Sequence, residues 1–529
     1  MSEIKYKNLN ESAAYKKLKA YAGDLSLKKL LSPQRINEYE VNSGAGLKYN
    51  YAAKKTDKEL LKILRELADE RQLIEKYKSL LDGDIINTGE KRMVMHQLTR
   101  GQLGKAVIHN GKNLRDFYCG QQKRIADFAA KVHKGQLIGS TGKKFETIVQ
   151  IGIGGSDLGP RALYLALKNW AMASGNFKME AKFISNVDPD DAFDVLNGLE
   201  LESSLFVIVS KSGTTQETLA NKDLVLEFLK RKDIPGFNYK KHLLAVTSET
   251  SPMALSPEVL DSFYIDDFIG GRYSSTSAVG GLALSLAFGP KIFAELLEGA
   301  GEADKNALEP DILQNASLLD ALLGVYERNI LDLPVTAVLP YSQALSRFPA
   351  HLQQLDMESN GKSVDRFGEK LEYKTGPAIM GEPGTNGQHS FYQHLHQGTD
   401  VIPLQFIGFL DCQSGLDAES GGSTSRRKLN ANLVAQIAAF ALGKEDANPN
   451  KNFNGERPSS LLYAEKLTPQ VLGALLAHFE NKVMFQGFCW NINSFDQEGV
   501  QLGKVLTRQI LEGDGENPIL DAYAKKLRA

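Results

Sequence analysis

The chain has 529 residues, 62 basic and 64 acidic, so its formal net charge is only −2. This length predicts two or three domains with a sizeable buried interior. The near balance of charge argues against nucleic acid or an anionic membrane surface as a partner, so any anion site must be local. The three cysteines, Cys119, Cys412 and Cys489, are too far apart in sequence for a CxxC zinc site or a disulfide framework.

The N-terminal segment has scattered lysines but no apolar core of the kind found in signal peptides. The longest apolar stretch, residues 278–288, is short and is interrupted by Gly280 and Gly281. Together with the cysteine spacing, this predicts a reduced, cytoplasmic protein without a membrane span.

The first hundred or so residues are predicted to be mainly helical. Residues 56–82 indicate one amphipathic helix, because a capping box starts at Thr56 and Leu60 and Leu64 share a face. Gly83 is expected to end this helix.

From about residue 120, short apolar runs alternate with helical segments. This alternation predicts a parallel sheet with helices on both faces. A second alternation follows a Leu- and Ala-rich helical bridge over residues 282–330, and residues 446–460 are predicted to form a surface loop. The predicted strands are residues 146–151, 181–185, 205–210 and 242–247, and then 335–339, 377–380 and 402–407.

The predicted fold class is therefore α/β, with two doubly wound parallel-sheet domains and helical extensions at both ends. We expect a helical N-terminal region over residues 1–119 that packs on the second domain. The α/β domains are expected over residues 120–285 and 286–504, followed by a C-terminal helical arm over residues 505–529.

A glycine-rich loop, GIGGSDLG (residues 152–159), follows a predicted strand and opens a helix. Counted from Gly152 and Gly154, the third glycine of a dinucleotide fingerprint would fall at position 157, which is Asp157. The spacing therefore argues against nicotinamide or flavin binding. Taken alone, the loop could also be a glycine turn without a ligand.

A second loop, SKSGTTQET (residues 210–218), also follows a predicted strand and leads into a helix. Hydroxyls, a flexible glycine and a lysine at a helix N-terminus suit a phosphate monoester dianion. Hydroxyl clusters are also ordinary helix N-caps, so this loop alone leaves both interpretations open. It lacks the GxxxxGK[ST] spacing of nucleotide triphosphate loops.

The two loops resemble the sugar-phosphate-binding folds of phosphosugar isomerases, and further motifs narrow the resemblance to the glucose-6-phosphate isomerase family. Two segments are similar to its characteristic motifs and two to its catalytic loops, in the family's order along the chain. These segments are DFIGGRYS (267–274), GFCWNINSFDQEGVQLGK (487–504), MESNGK (357–362) and GTNGQH (384–389).

The resemblance implies two sugar-isomerase-type domains and the interconversion of glucose 6-phosphate and fructose 6-phosphate in glycolysis and gluconeogenesis. It implies no cofactor and no metal. It also implies a homodimer in which His389 reaches the active site of the neighbouring subunit. The sequence leaves a side activity on mannose 6-phosphate open.

By resemblance, Glu358 is the base that moves a proton between C1 and C2, and Arg272 stabilises the enediolate. His389 and Lys504 resemble the family's ring-opening pair. Gln497 and Lys504 are seven positions apart and are predicted to share one face of a helix. The other substrate contacts that the resemblance implies are Gly155, Ser156, Ser210, Lys211, Ser212, Gly213, Thr214, Thr215, Gln354 and Gln497, with residues 210–215 taking the phosphate.

Three alternatives compete with this interpretation. His389, His394 and His396 suggest a metal site, but no acidic or cysteine partner at zinc spacing accompanies them. A sugar-phosphate-binding regulator would need the loops but no base. A dinucleotide-dependent dehydrogenase is opposed by the misplaced third glycine.

Overall fold

The computed structural model describes residues 3–513 and 517–529, which form two large helix-covered sheets and two separate two-stranded hairpins. The strands are β1 Glu40–Gly44, β2 Leu47–Asn50, β3 Ile108–His109, β4 Lys112–Asn113, β5 Thr147–Ile151, β6 Glu180–Ile184, β7 Ser204–Val209, β8 Leu243–Thr247, β9 Asp261–Tyr264, β10 Val335–Pro340, β11 Ala378–Met380, β12 Leu404–Phe409, β13 Glu419–Ser420, β14 Ser423–Thr424 and β15 Ser459–Ala464.

The α-helices fill the intervals between these strands and cover both sheets. They are α1 Ala13–Ala20, α2 Leu27–Leu30, α3 Pro33–Glu38, α4 Lys58–Glu70, α5 Leu73–Leu81, α6 Leu114–His133, α7 Leu158–Ala173, α8 Pro189–Asn197, α9 Gln216–Arg231, α10 Ala278–Phe288, α11 Pro290–Asn306, α12 Ala316–Asn329, α13 Phe348–Leu352, α14 Tyr392–Gln397, α15 Ser425–Leu442, α16 Pro469–Trp490, α17 Gln501–Glu512 and α18 Pro518–Leu527.

The first sheet has the strand order β6-β5-β7-β8-β9, and all neighbours are parallel. Every residue of the central strand β7 is buried, as expected for a parallel sheet covered on both faces. The strand order reverses between β5 and β7, and ligands of open α/β sheets bind at such a reversal, beyond the carboxyl ends of the strands. Both loops identified in the sequence lie there.

The second sheet has the order β1-β2-β15-β12-β10-β11. Strands β10, β11, β12 and β15 are parallel to one another, whereas the N-terminal hairpin β1–β2 adds to β15 in the antiparallel sense. The predicted α/β class is therefore confirmed. The N-terminal region contributes strands to the second sheet as well as helices.

Helix α16 lies in the interior and is buried along almost its whole length. Because it faces other elements on all sides, its polar side chains have buried partners. Asp320 of α12 forms an ion pair with Lys482 Nζ at 3.0 Å and accepts a hydrogen bond from His478 Nε2 at 3.1 Å. Arg100 forms ion pairs with Asp304 of α11 and Glu480 of α16.

The prediction of one helix over residues 56–82 is wrong. The segment forms two helices, α4 and α5, separated at Gln72, whose φ of 50° is incompatible with continuing an α-helix. The N-cap is Asp57, because its carboxylate accepts the backbone N–H of Leu60 at 2.8 Å.

The strand prediction missed the hairpins β1–β2, β3–β4 and β13–β14 and strands β9 and β15. The predicted loop 446–460 ends earlier than expected, since Ser459 and Ser460 are already the first residues of β15. The predicted helical bridge over residues 282–330 corresponds to α10, α11 and α12. Within the described ranges, no helix is long and apolar enough to span a membrane.

Candidate active site

A cleft of about 470 Å³ opens beyond the carboxyl ends of β5 and β7. Its walls come from the two loops after these strands, the turn before α10, the turn after α13 and the start of α17. The predicted site residues that line it are Gly155, Ser156, Ser210, Lys211, Ser212, Thr215, Arg272, Gln354, Glu358, Gln497 and Lys504.

A carboxylate and a guanidinium form the centre of this cleft. Glu358 Oε2 lies 3.2 Å from Arg272 Nη1, and the Arg272 side chain is 1% exposed whereas that of Glu358 is 22% exposed. The guanidinium is therefore enclosed by protein, while the carboxylate keeps access to the cleft.

All five N–H groups of Arg272 face an acceptor, which fixes its orientation. Nε donates to Ser359 Oγ at 2.7 Å, and Nη1 donates to Gln497 Oε1 at 3.1 Å as well as facing Glu358. Nη2 donates to the carbonyls of Ser494 and Asp496 at 2.8 and 2.9 Å. Arg272 thus joins the turn that carries Glu358 to the segment before α17.

Glu358 ends a π-helical turn, Gln353–Glu358, that directly follows α13. Such turns are rare and occur frequently at functional sites. Gln354 and Glu358 both line the cleft, whereas Leu355 and Asp356 between them are buried. The turn therefore directs one face to the cleft and the other to the interior.

The second loop places several donors at the N-terminus of α9. Thr215 is the N-cap residue, but its hydroxyl pairs with Ser210 Oγ at 2.9 Å and makes no hydrogen bond to the N–H groups of the helix. Lys211 Nζ donates to the Ile269 carbonyl at 3.3 Å, and burial lowers the pKa of this lysine. Hydroxyls, an ammonium and a helix N-terminus at one place suit a phosphate group.

Two residues predicted to contact substrate lie outside the cleft. Gly213 and Thr214 line a separate groove beside Pro252 and Met253. Gly213 has a φ of +69° and lets the loop turn, which accounts for a glycine at this position without a ligand contact.

Gly155 brings the first loop against the turn that carries Arg272. A Cβ atom at this position would lie 2.1 Å from the Gly271 carbonyl carbon, so only glycine permits this approach. The close packing accounts for the joint presence of Ser156 and Arg272 in the wall of the cleft.

The predicted ring-opening residues are less enclosed than the central pair. Lys504 lies on α17 and is exposed. Gln497 precedes this helix, which begins at Gln501, so the predicted shared helical face is wrong. His389 is exposed in a short 3-10 turn, Asn386–His389, and is not among the described residues that line the cleft.

The three histidines suggested as metal ligands lie on two successive elements, the 3-10 turn Asn386–His389 and helix α14. His396 stacks on Phe440 with ring centroids 3.7 Å apart and shares a 2.8 Å hydrogen bond with Gln436. His389 lies in the preceding 3-10 turn, outside α14. The described part of the chain contains no group of three or more side chains that could hold a metal ion.

Several residues that line the cleft, or that contact Arg272 and Glu358 from behind it, have no role in the sequence-based prediction. Asn87, Glu90 and Met93 of the N-terminal region line one wall, and no sequence signal connects this segment with the two loops. Ser359 and Lys362 lie within the motif MESNGK, so the motif was the available signal, although spacing alone does not show what their side chains contact.

The doubly wound sheets, the phosphate-type loop at the strand-order reversal and the carboxylate–guanidinium pair define the class of sugar-phosphate isomerases. A family model described as phosphoglucose isomerase matches residues 50–523. The chain belongs to the phosphoglucose isomerase family, and it interconverts glucose 6-phosphate and fructose 6-phosphate. The family, fold class and activity predicted from the sequence are thus confirmed.

Curated relatives and a solved structure agree with this assignment. The chain is 61% identical to a glucose-6-phosphate isomerase from Treponema denticola, covering 99% of this chain and 100% of the relative. It is 50% identical to one from Borreliella burgdorferi, with 99% of each covered. A crystal structure of a glucose-6-phosphate isomerase from Chlamydia trachomatis matches with a TM-score of 0.90 and 43% identity over 99% of each chain.

Proposed function

We propose that the cleft around Glu358 isomerises the two hexose phosphates through ring opening and an enediolate intermediate. The proposal depends chiefly on one observation, a partly exposed carboxylate held 3.2 Å from an arginine that is almost completely buried. Glu358 takes the proton from one of the carbons C1 and C2 and returns it to the other. The reaction shifts a double bond and two hydrogens within one molecule, so it needs no external oxidant.

Arg272 stabilises the negative charge that develops on the enediolate oxygens. A guanidinium stays protonated at all working pH values and is already oriented here by its other acceptors, so it need not reorganise during the reaction. Ser210, Lys211, Ser212 and Thr215 hold the phosphate at the other end of the cleft, and Gln354 and Gln497 contact the sugar.

Lys504 and His389 open the sugar ring in this proposal. Since His389 is exposed and does not line the cleft of its own chain among the described residues, it serves the cleft of a second copy. A two-fold symmetric homodimer then completes both sites in the same way.

The C-terminal helices support this choice of partner. Neither α17 nor α18 has a buried residue, although both are amphipathic. Ile519, Tyr523 and Leu527 follow one another at intervals of four on one face of α18, and they are 64–78% exposed. An exposed apolar face of this kind is typical of a protein–protein interface. In this proposal a second copy of the chain buries it beside Lys504.

We further propose a cytoplasmic enzyme that requires no metal ion and has no nucleic-acid partner. The near-neutral charge balance supports the last point. The two sheets support two α/β domains, with bounds close to residues 120–285 and 286–504.

A coupled assay on fructose 6-phosphate tests the proposal. Activity should survive exhaustive chelation and dialysis, because Arg272 meets the enediolate charge. Loss of activity that zinc or magnesium restores would contradict it. Mannose 6-phosphate, assayed in parallel, shows whether the site also accepts the epimer at C2.

A further inference from the structure

Lys362 makes an unusual set of contacts directly behind Glu358. Its ammonium donates to the carbonyl of Glu358 itself at 2.7 Å and to the carbonyl of Ser359 at 3.2 Å. These carbonyls lie at the C-terminal end of the π-helical turn Gln353–Glu358, here named the catalytic turn. The helix dipole favours a cation at this end. Lys362 therefore stabilises the conformation in which the turn presents its carboxylate.

The same ammonium also reaches the segment before α17. It lies 3.2 Å from the carbonyl oxygen of Asp496 and 3.3 Å from its carboxylate Oδ1. The second carboxylate oxygen of Asp496 accepts a hydrogen bond from Asn493 at 2.6 Å. The Lys362 and Asp496 side chains are 16% and 12% exposed, so this pair is screened far less than a surface ion pair.

Arg272 and Lys362 thus converge on one carbonyl, that of Asp496, from two sides of the catalytic turn. Asn360 adds a further connection, since its Oδ1 accepts the Ser494 hydroxyl at 2.7 Å. Among the described residues beyond Gln497 no comparable connection is seen, and α17, which carries Lys504, has no buried residue. The position of α17 relative to Glu358 is therefore set largely at Asp496.

We propose that Lys362 is a positioning residue. Through Asp496 it couples the base Glu358 to helix α17, which carries Lys504. The inference rests on the proposed roles of Glu358 and Lys504. Lys362 itself touches no reacting atom. Its ammonium holds the turn that carries Glu358 and the segment before α17 at a fixed separation. A sugar whose ring has been opened then lies in place for proton transfer.

The test uses Lys362→Met in the full-length enzyme, with Lys374→Met as the matched control, since Lys374 is an exposed lysine paired with Asp332 at the surface. We expect kcat to fall about 10- to 100-fold in Lys362→Met, because a misplacement of about 1 Å has effects of this size. The inhibition constant of inorganic phosphate should stay within about twofold, since Lys211 and Thr215 are unchanged. Lys374→Met should match wild type in both.

Two partial reactions show whether Lys362 affects both ring opening and proton transfer or only one of these steps. Interconversion of the α and β anomers of glucose 6-phosphate reports ring opening, and exchange of the C2 hydrogen with solvent reports proton transfer. Both can be followed by NMR. Lys362→Met should slow both, whereas Glu358→Gln should abolish exchange and retain anomer interconversion.

If Lys362→Met does not fold, Asp496→Asn tests the same ion pair from its other side. It should reproduce the kcat loss in part, and the double variant should be no worse than Lys362→Met alone. Normal kcat in Lys362→Met, or a parallel weakening of phosphate inhibition and a lowered Tm, would overturn the coupling role. If Glu358→Gln keeps full activity, the proposed base is wrong instead, whatever the Lys362 variants do.

Discussion

The side of the cleft with Arg272 and Glu358 and the side proposed to contain Lys504 and His389 differ in how far the surrounding protein fixes the side chains. Arg272 has an acceptor for each donor and Glu358 ends a turn anchored in the interior, whereas Lys504 and His389 are exposed. A single chain therefore fixes the geometry of the pair proposed for proton transfer. The residues proposed for ring opening lie on exposed surface, which is why the proposed mechanism places them in a site shared with a second copy of the chain.

The largest expected effect is on the proton-transfer side. Glu358→Gln keeps the size and hydrogen-bonding capacity of the side chain but cannot accept the proton. We expect kcat to fall by about two to four orders of magnitude with little change in substrate binding, measured in the coupled assay. A kcat near that of wild type would remove Glu358 from its role as base.

The proposal that His389 serves the cleft of a second copy is tested by mixing two inactive variants. When Glu358→Gln and His389→Ala chains are refolded together, about half of the dimers are mixed, and each of these has one site free of both defects. Activity should then return to about a quarter of wild type.

If His389 served its own chain, every site in the mixture would keep one defect and activity would stay low. Mass spectrometry is needed to verify that mixed dimers form. Mixed dimers without recovered activity would contradict the shared site and leave the isomerase assignment unchanged.

The phosphate end of the cleft should respond in binding more than in chemistry. Lys211→Ala removes a charge-assisted contact that is typically worth about 1.5–3 kcal/mol, so inhibition by a phosphorylated sugar acid should weaken roughly 10- to 100-fold. Thr214→Ala is the matched control, because Thr214 lies in the same loop but outside the cleft. An unchanged inhibition constant in Lys211→Ala would place the phosphate elsewhere.

The smallest effect on activity is expected from Lys76, which lies on α5 and is not among the described residues that line the cleft. This lysine is fully buried, and its Nζ reaches the Phe488 carbonyl of α16 at 3.5 Å. Burial lowers the pKa of Lys76 from its ordinary 10.5 to about 6. Between these values the unfolded chain binds one more proton than the folded one, so this group makes the protein less stable as the pH falls.

Lys76→Met should therefore raise the Tm at pH 7, and its advantage over wild type should shrink toward pH 9.5. The contribution of this group changes by up to about 1.4 kcal/mol per pH unit within that window. Thermal unfolding at both pH values measures it, with kcat as the control. A Tm lowered at both pH values, but less at pH 7 than at pH 9.5, would mean that lost packing outweighs the removed cost of burying the amine, whereas a Tm difference independent of pH would contradict the lowered pKa of Lys76.

The sequence by itself was sufficient for the α/β class, the two strand-bounded loops and the family. These features are local: a buried parallel strand is a short apolar run, and the loop after it has the residue types of a phosphate site. Ser210, Lys211 and Thr215 could be proposed as phosphate ligands because they are neighbours in the chain.

Only the tertiary structure decided which distant residues meet. Lys362 contacts Asp496 across 134 positions, and Arg272 contacts Ser494 across 222, so no spacing rule relates them. The hairpin β1–β2 completes a sheet whose other strands begin nearly 300 residues later, so its partner strand could not be inferred from its own sequence. Pairing across such separations depends on how buried surfaces fit together, which a residue pattern along one segment does not contain.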